Sequence, residues 1–225
     1  MGMATRPEMD TGTRMTDTLY TLAAWFSPAY PVGAFSYSHG LEWVIGSGAV
    51  IDRQSLHEWI TDCLQHGAGR NDAILLAAAW RDPDNDEIAD FAAALQPSKE
   101  RHLEALAQGS AFIATTAAAW GGVPGDPVAY PVAVGRAASA RHLPLKDTAV
   151  LYLHAFAANL VSAGVRLIPL GQSEGQRVIA DLMPICRAVA EDALAAGLDD
   201  IGGTAIMADI ASMKHEIQNV RLFRS

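Results

Sequence analysis

Residues 148–170, TAVLYLHAFAANLVSAGVRLIPL, are the most apolar run in the chain, and any fold must find a way to cover them. The run is long enough to cross a bilayer, but His154, Asn159, Ser162 and Arg166 would then sit in hydrocarbon. An arginine at that depth costs about 3 kcal/mol. A helix over about 145–167, buried in a protein core, is the better reading. Neither half of a chain of 225 residues would bury so apolar a helix by itself. The break GGVPGDP (121–127) is therefore read as a loop inside one domain rather than a boundary between two.

The rest of the chain supplies helices to do the covering. Leu19, Leu22, Ala23 and Phe26 recur at helical spacing before Ser27-Pro28. Leu41, Val44 and Ile45 mark a short helix closed by Gly46 and Gly48, and Ser55 and Glu58 have capping-box spacing ahead of Leu56, Ile60 and Leu64. Further helical patterns run over 72–80, through Ile88, Phe91 and Leu95, and over 98–120 with Leu103, Leu106 and Ile113. Segments near 131–142 and 173–196 follow, the latter with a kink expected at Pro184. Alternating strand patterns are almost absent; VAYPVAV (128–134) comes nearest, and Pro131 demotes it. The expectation is an all-α single domain of eight to ten helices over 16–225, with 1–15 as a flexible tail.

Chemistry is harder to find. A net charge of −9 argues against nucleic acid and against an anionic membrane surface. None of Lys99, Lys146 and Lys214 follows a phosphate-cradling glycine loop, so ATP or GTP binding of the usual kind is not expected. Cys63 and Cys186 read as reduced thiols, and the stretch MGMATRPEMDTGTRMTD lacks the apolar core of a secretory leader. A cytoplasmic protein is expected. Two enzyme-like readings remain as alternatives: Ser36 with His39 as a nucleophile and base, and Cys63 with His66 as half of a metal site. The first lacks a G-x-S-x-G elbow, and the second has a bland reading as a buried thiol beside a helix-terminal histidine. His154 reads as a hydrogen-bonded core histidine, and the pairs Glu191/Asp192 and Asp199/Asp200 as solvated acids near helix ends.

Two segments stand apart. SPAYPVGAFSYSHGLEW (27–43) combines prolines, glycines and aromatics, a mix that suits either a tight core turn or a rigid surface with aromatic anchors. ADIASMKHEIQNVRLFRS (208–225) puts Ile210, Met213 and Ile217 on one face and ends with two arginines around Leu-Phe. An apolar and basic segment on an acidic chain docks either on its own body or on a partner. Composition leaves both readings open for both segments.

The first segment resembles the signature of the urease accessory protein UreF family, close to S-P-x-x-P-[VI]-G-[GA]-[FY]-[ST]-x-S-x-G-[LI]-E. Ser27, Pro28, Pro31, Val32, Gly33, Ala34, Phe35, Ser36, Ser38, Gly40, Leu41 and Glu42 fit it. LHAFAANLVSAGVRLIPLGQSEGQRV (153–178) and DIASMKHEIQNVRLFRS (209–225) resemble further hallmarks in the same order. Residues 1–15, 82–100 and 121–130 carry no resemblance. The resemblance implies an all-α protein that is not an enzyme and has no cofactor of its own. It implies a homodimer that binds UreD (UreH in some systems), after which the GTPase UreG joins and nickel reaches urease apoprotein. It puts forward Lys214, His215, Glu216, Arg221, Leu222 and Arg224 in the tail as partner contacts. Pro31, Gly33, Phe35, Tyr37 and Glu42 form the second such surface. No residue is singled out as a metal ligand.

Overall fold

The computed structural model describes residues 11–121 and 125–225, and the tail expected over 1–15 lies outside them up to residue 10. From Thr11 the chain is already helical. The helices are α1 (Thr11–Trp25), α2 (Leu41–Gly46), α3 (Arg53–His66), α4 (Ala68–Arg81) and α5 (Asp86–Ala94). They continue with α6 (Lys99–Trp120), α7 (Tyr130–Ala140), α8 (Leu145–Leu167), α9 (Gln172–Ala195) and α10 (Ile206–His215). Single 3-10 turns occupy Ala34–Ser36 and Leu198–Asp200, and no strand occurs among the described residues. The all-α single domain expected from the sequence is what the structure shows.

The apolar run is α8. Half of its most hydrophobic stretch is buried within the protein, with Tyr152, Leu153, Ala157, Leu160 and Val161 facing inward. It packs against α2, α3, α4, α7 and α9. Helix α4 lies beside it and is buried along most of its length, from Ala73 to Ala79. α7 runs so close to α4 that a Cβ on Gly135 would lie 2.4 Å from the Leu76 carbonyl oxygen. Glycine is required there for lack of space, not for its conformational freedom. α9 continues unbroken through Pro184, completing the layer under α3, α4 and α8.

Three local expectations change. Helix α3 is capped by Asp52 rather than Ser55: the Ser55 backbone N–H donates to Asp52 Oδ1 at 2.9 Å, and the Asp52 N–H donates to Ser55 Oγ at 3.1 Å. In α1 the inward residues are Leu22 and Trp25, while Leu19 and Ala23 face solvent. Trp25 displaces the expected stripe because its indole packs edge-on against Phe112, with centroids 5.1 Å apart. The third change matters most. Leu103 of α6 is exposed, and the buried side of that helix carries Arg101, Glu104, Gln108, Phe112 and Thr116. A polar face turns inward because it meets polar partners.

Candidate functional site

The proline-glycine segment leaves α1 and passes through Gly33 at φ 73°, a 3-10 turn over Ala34–Ser36, and then two consecutive left-handed residues, His39 (φ 56°) and Gly40 (φ 79°). The reversal at Gly40 brings the segment against α10. A Cβ on Gly40 would lie 2.6 Å from the Ser212 nitrogen, so the fold admits only glycine there. The backbone continues the contact: the Arg224 N–H donates to the Ser36 carbonyl at 2.8 Å, and the Ser38 N–H to the Ser225 carbonyl at 2.7 Å. The two segments that the sequence singled out, nearly two hundred residues apart, form one unit.

Glu42 and His215 are its internal pins. Glu42 accepts from the backbone N–H groups of Leu222 (2.7 Å) and Phe223 (2.9 Å). His215 is fully buried between two carboxylates, with Nδ1 2.7 Å from Glu100 Oε2 and Nε2 3.3 Å from Glu42 Oε2. Arg221 pairs with Glu100 from outside, and Glu216 accepts from the Glu100 N–H at 3.0 Å. Phe223 is buried beneath the Arg166 guanidinium, 4.4 Å above its ring, while Arg166 also donates to the Phe35 carbonyl. The tail is therefore held by about half a dozen directional contacts rather than by apolar burial alone.

Of the residues put forward as partner contacts, the structure divides the set. Pro31, Phe35, Lys214, Arg221, Leu222 and Arg224 are exposed, Gly33 and Glu216 are half-buried, and Tyr37, Glu42 and His215 are buried. The last three are occupied within the protein, Tyr37 through its carbonyl, which accepts from Asn159. The sequence placed Ile210, Met213 and Ile217 on one face but missed that the apolar side of α10 extends to Ile206 and Met207: these two, with Met213, Ile217 and Leu222, are roughly half to three-quarters exposed, and Val220 is more exposed still. Their helical spacing was the available signal.

Behind the proline-glycine segment lies a cavity of about 480 Å³. Its polar side is the inward face of α6 together with His39 and Asp72. Arg101 contacts Glu104 Oε2 at 2.5 Å, and His39 Nε2 lies 2.8 Å from Glu104 Oε1. Burial by itself would raise the Glu104 pKa, but Arg101 and then His39 outweigh it and hold the carboxyl at about 2. Burial pushes Asp72 the other way, up to about 6, against the opposing pull of Arg101 and the Tyr152 hydroxyl. His39 is lowered, first by burial and then by Arg101. His154 lies on the cavity wall and not in the closed core.

The enzyme-like alternatives fare poorly. His39 spends its Nε2 on Glu104 and Arg101, and its ring packs edge-on to Phe156, so nothing orients it as a base for Ser36. Cys63 is buried and its thiol is pushed up to about 12 by that burial, whereas His66 faces solvent. Among the described residues no three histidine, cysteine or carboxylate side chains gather as a metal site.

Fold and site define an all-helical protein whose two distinctive segments interlock on one side, over a cavity floored by buried charges. Comparison with known proteins gives the family. The UreF family model matches residues 50–183. A urease accessory protein UreF of Ruegeria pomeroyi is 52% identical over 212 residues, covering 92% of this chain and 96% of its own length. One from Cereibacter sphaeroides (strain KD131) is 51% identical, covering 94% and 100%, and one from Rhodopseudomonas palustris (strain HaA2) is 47% identical, covering 92% and 94%. The chain belongs to the UreF family of urease accessory proteins, which are named as accessory proteins and not as catalysts.

Proposed function

We propose that this chain is a non-catalytic cytoplasmic scaffold of urease maturation. As a homodimer it binds UreD (UreH in some systems), and the complex recruits the GTPase UreG so that nickel reaches urease apoprotein. Nickel is cargo in this reading and GTP belongs to the partner, so the chain needs no cofactor of its own. The observation that carries it is the surface made by α10 and the tail. Apolar side chains from Ile206 to Leu222 lie beside Lys214, Arg221 and Arg224, on a protein whose net charge is −9. An exposed apolar strip with a basic rim is what a docking surface requires. The clamp of Glu42, His215 and Glu100 beneath gives that surface a fixed shape, so less ordering entropy is lost on binding. Arginine adds paired hydrogen bonds to partner carboxylates.

The test is co-purification of the Leu222→Ala/Arg224→Ala double variant with UreD and UreG. Both side chains are exposed, so circular dichroism should match the wild type while recovery of the partners falls at least tenfold. Full recovery would remove the tail from the interface.

A further inference from the structure

The cavity behind the proline-glycine segment holds a buried carboxylate with one oxygen left open. Glu104 is saturated: Oε1 meets His39 and Gln108 (each 2.8 Å), and Oε2 meets Arg101 (2.5 Å) and the Ser225 hydroxyl (2.6 Å). Asp72 is nearly as deeply buried, and its Oδ2 accepts from the Tyr152 hydroxyl at 2.8 Å. Among the described residues no protein donor meets its Oδ1. Counting Arg101 against Glu104 and Asp72, the floor carries a net charge of −1 when both carboxyls are ionised. The walls are aromatic: Phe26, Tyr30, Tyr130, Tyr152 and Phe156 all line the space. Tyr130 and Tyr152 lie 5.4 Å apart, and Phe26 packs edge-on to Tyr152.

A buried carboxylate with an open oxygen is costly unless a counter-charge reaches it. Aromatic faces around it favour a cation that carries its own apolar body, through ring quadrupoles as well as area. A bare metal ion fits less well, because the neighbouring carboxylate is already committed and the described residues gather no third ligand. The volume of about 480 Å³ lies within the ordinary range for small-ligand sites.

We infer that this cavity is a binding site for an organic cation, an alkylammonium or alkylguanidinium group whose charged end meets Asp72 Oδ1 and whose alkyl stem lies against the aromatic walls. The same head group could be carried by a free amine or by a lysine or arginine side chain of a docking protein. The pocket recognises the shared chemistry.

The probes are n-butylammonium, n-butylguanidinium, n-butanol and butanoate, titrated into the isolated chain at pH 7.5 and followed by saturation-transfer NMR. Both cations are expected to bind saturably, at least tenfold more tightly than butanol, with butanoate not binding. Asp72→Asn, which keeps an acceptor for Tyr152, is expected to abolish the advantage of the cations over butanol. Cations that bind no better than butanol, butanoate that binds as well as they do, or undiminished cation binding by Asp72→Asn would each overturn the assignment. The comparison among probes on the wild type stands even if the variant fails to fold. Repeating the titration with UreD bound identifies the source: displacement of the probe indicates a partner side chain, and retention indicates a free amine. That arm alone rests on the scaffold reading, so the isolated-chain result separates the two.

Discussion

Replacing Asp72 by asparagine should make this protein more stable at neutral pH, although the residue is buried and hydrogen-bonded. Folding moves the Asp72 carboxyl from an ordinary 3.8 to about 6. At about 1.4 kcal/mol per tenfold change in proton affinity, holding it ionised in the folded state costs about 3 kcal/mol. That figure already includes the attraction of Arg101. The sign follows from proton counting. Below 3.8 the folded and unfolded chains both keep the proton, and the penalty vanishes. Between 3.8 and 6 the folded chain keeps a proton that the unfolded one has lost, so stability from this group falls as pH rises. Above 6 the penalty is complete. Asparagine has no charge to penalise and still accepts from Tyr152, whose hydroxyl lies 2.8 Å from Asp72 Oδ2. The gain over wild type should reach up to about 3 kcal/mol at pH 7.5 and shrink to about 1 kcal/mol at pH 4.5. Urea unfolding followed by circular dichroism at both values measures it, provided the slopes of the two proteins agree. A variant less stable than wild type at pH 7.5, or a difference that does not change with pH, would refute the reasoning.

Other outcomes follow from the same contacts. Glu42→Ala strips acceptors from the Leu222 and Phe223 N–H groups and from His215, and should cost about 3 kcal/mol in urea unfolding and speed tryptic cleavage at Arg221. Gly135→Ala forces α7 away from the Leu76 carbonyl and should cost about 2 kcal/mol or more, seen as a lower melting temperature. Cys63 should resist iodoacetamide at pH 8 in the folded protein and react fully in urea, as mass spectrometry would show, because its thiol is buried and held near 12.

The division between what was legible and what was not has a physical basis. Periodicity reports which residues could share a face, and this sufficed for α8, where the apolar run leaves no other solution, and for the buried Leu56, Ile60 and Leu64 of α3. It failed for α6. There the helical pattern rested on Leu103, Leu106 and Ile113, and the structure buries the face bearing Arg101, Glu104 and Gln108. A polar face can be buried only when its partners are in place, and those partners come from His39, Asp72 and Ser225, distant in sequence. The same holds for the putting-forward of Tyr37, Glu42 and His215 as surface contacts: residue type marks them as polar or aromatic, but not which way they point.

By itself, then, the sequence determined an all-helical domain built around one apolar helix, and through its motifs the UreF family. The interlocking of the two distinctive segments, the pins beneath them and the open oxygen of the buried Asp72 were decided only by tertiary structure. Helical periodicity is a local property carried by neighbouring residues. Whether a buried charge is neutralised, or a motif faces solvent, depends on groups that only the folded chain brings within a few ångströms.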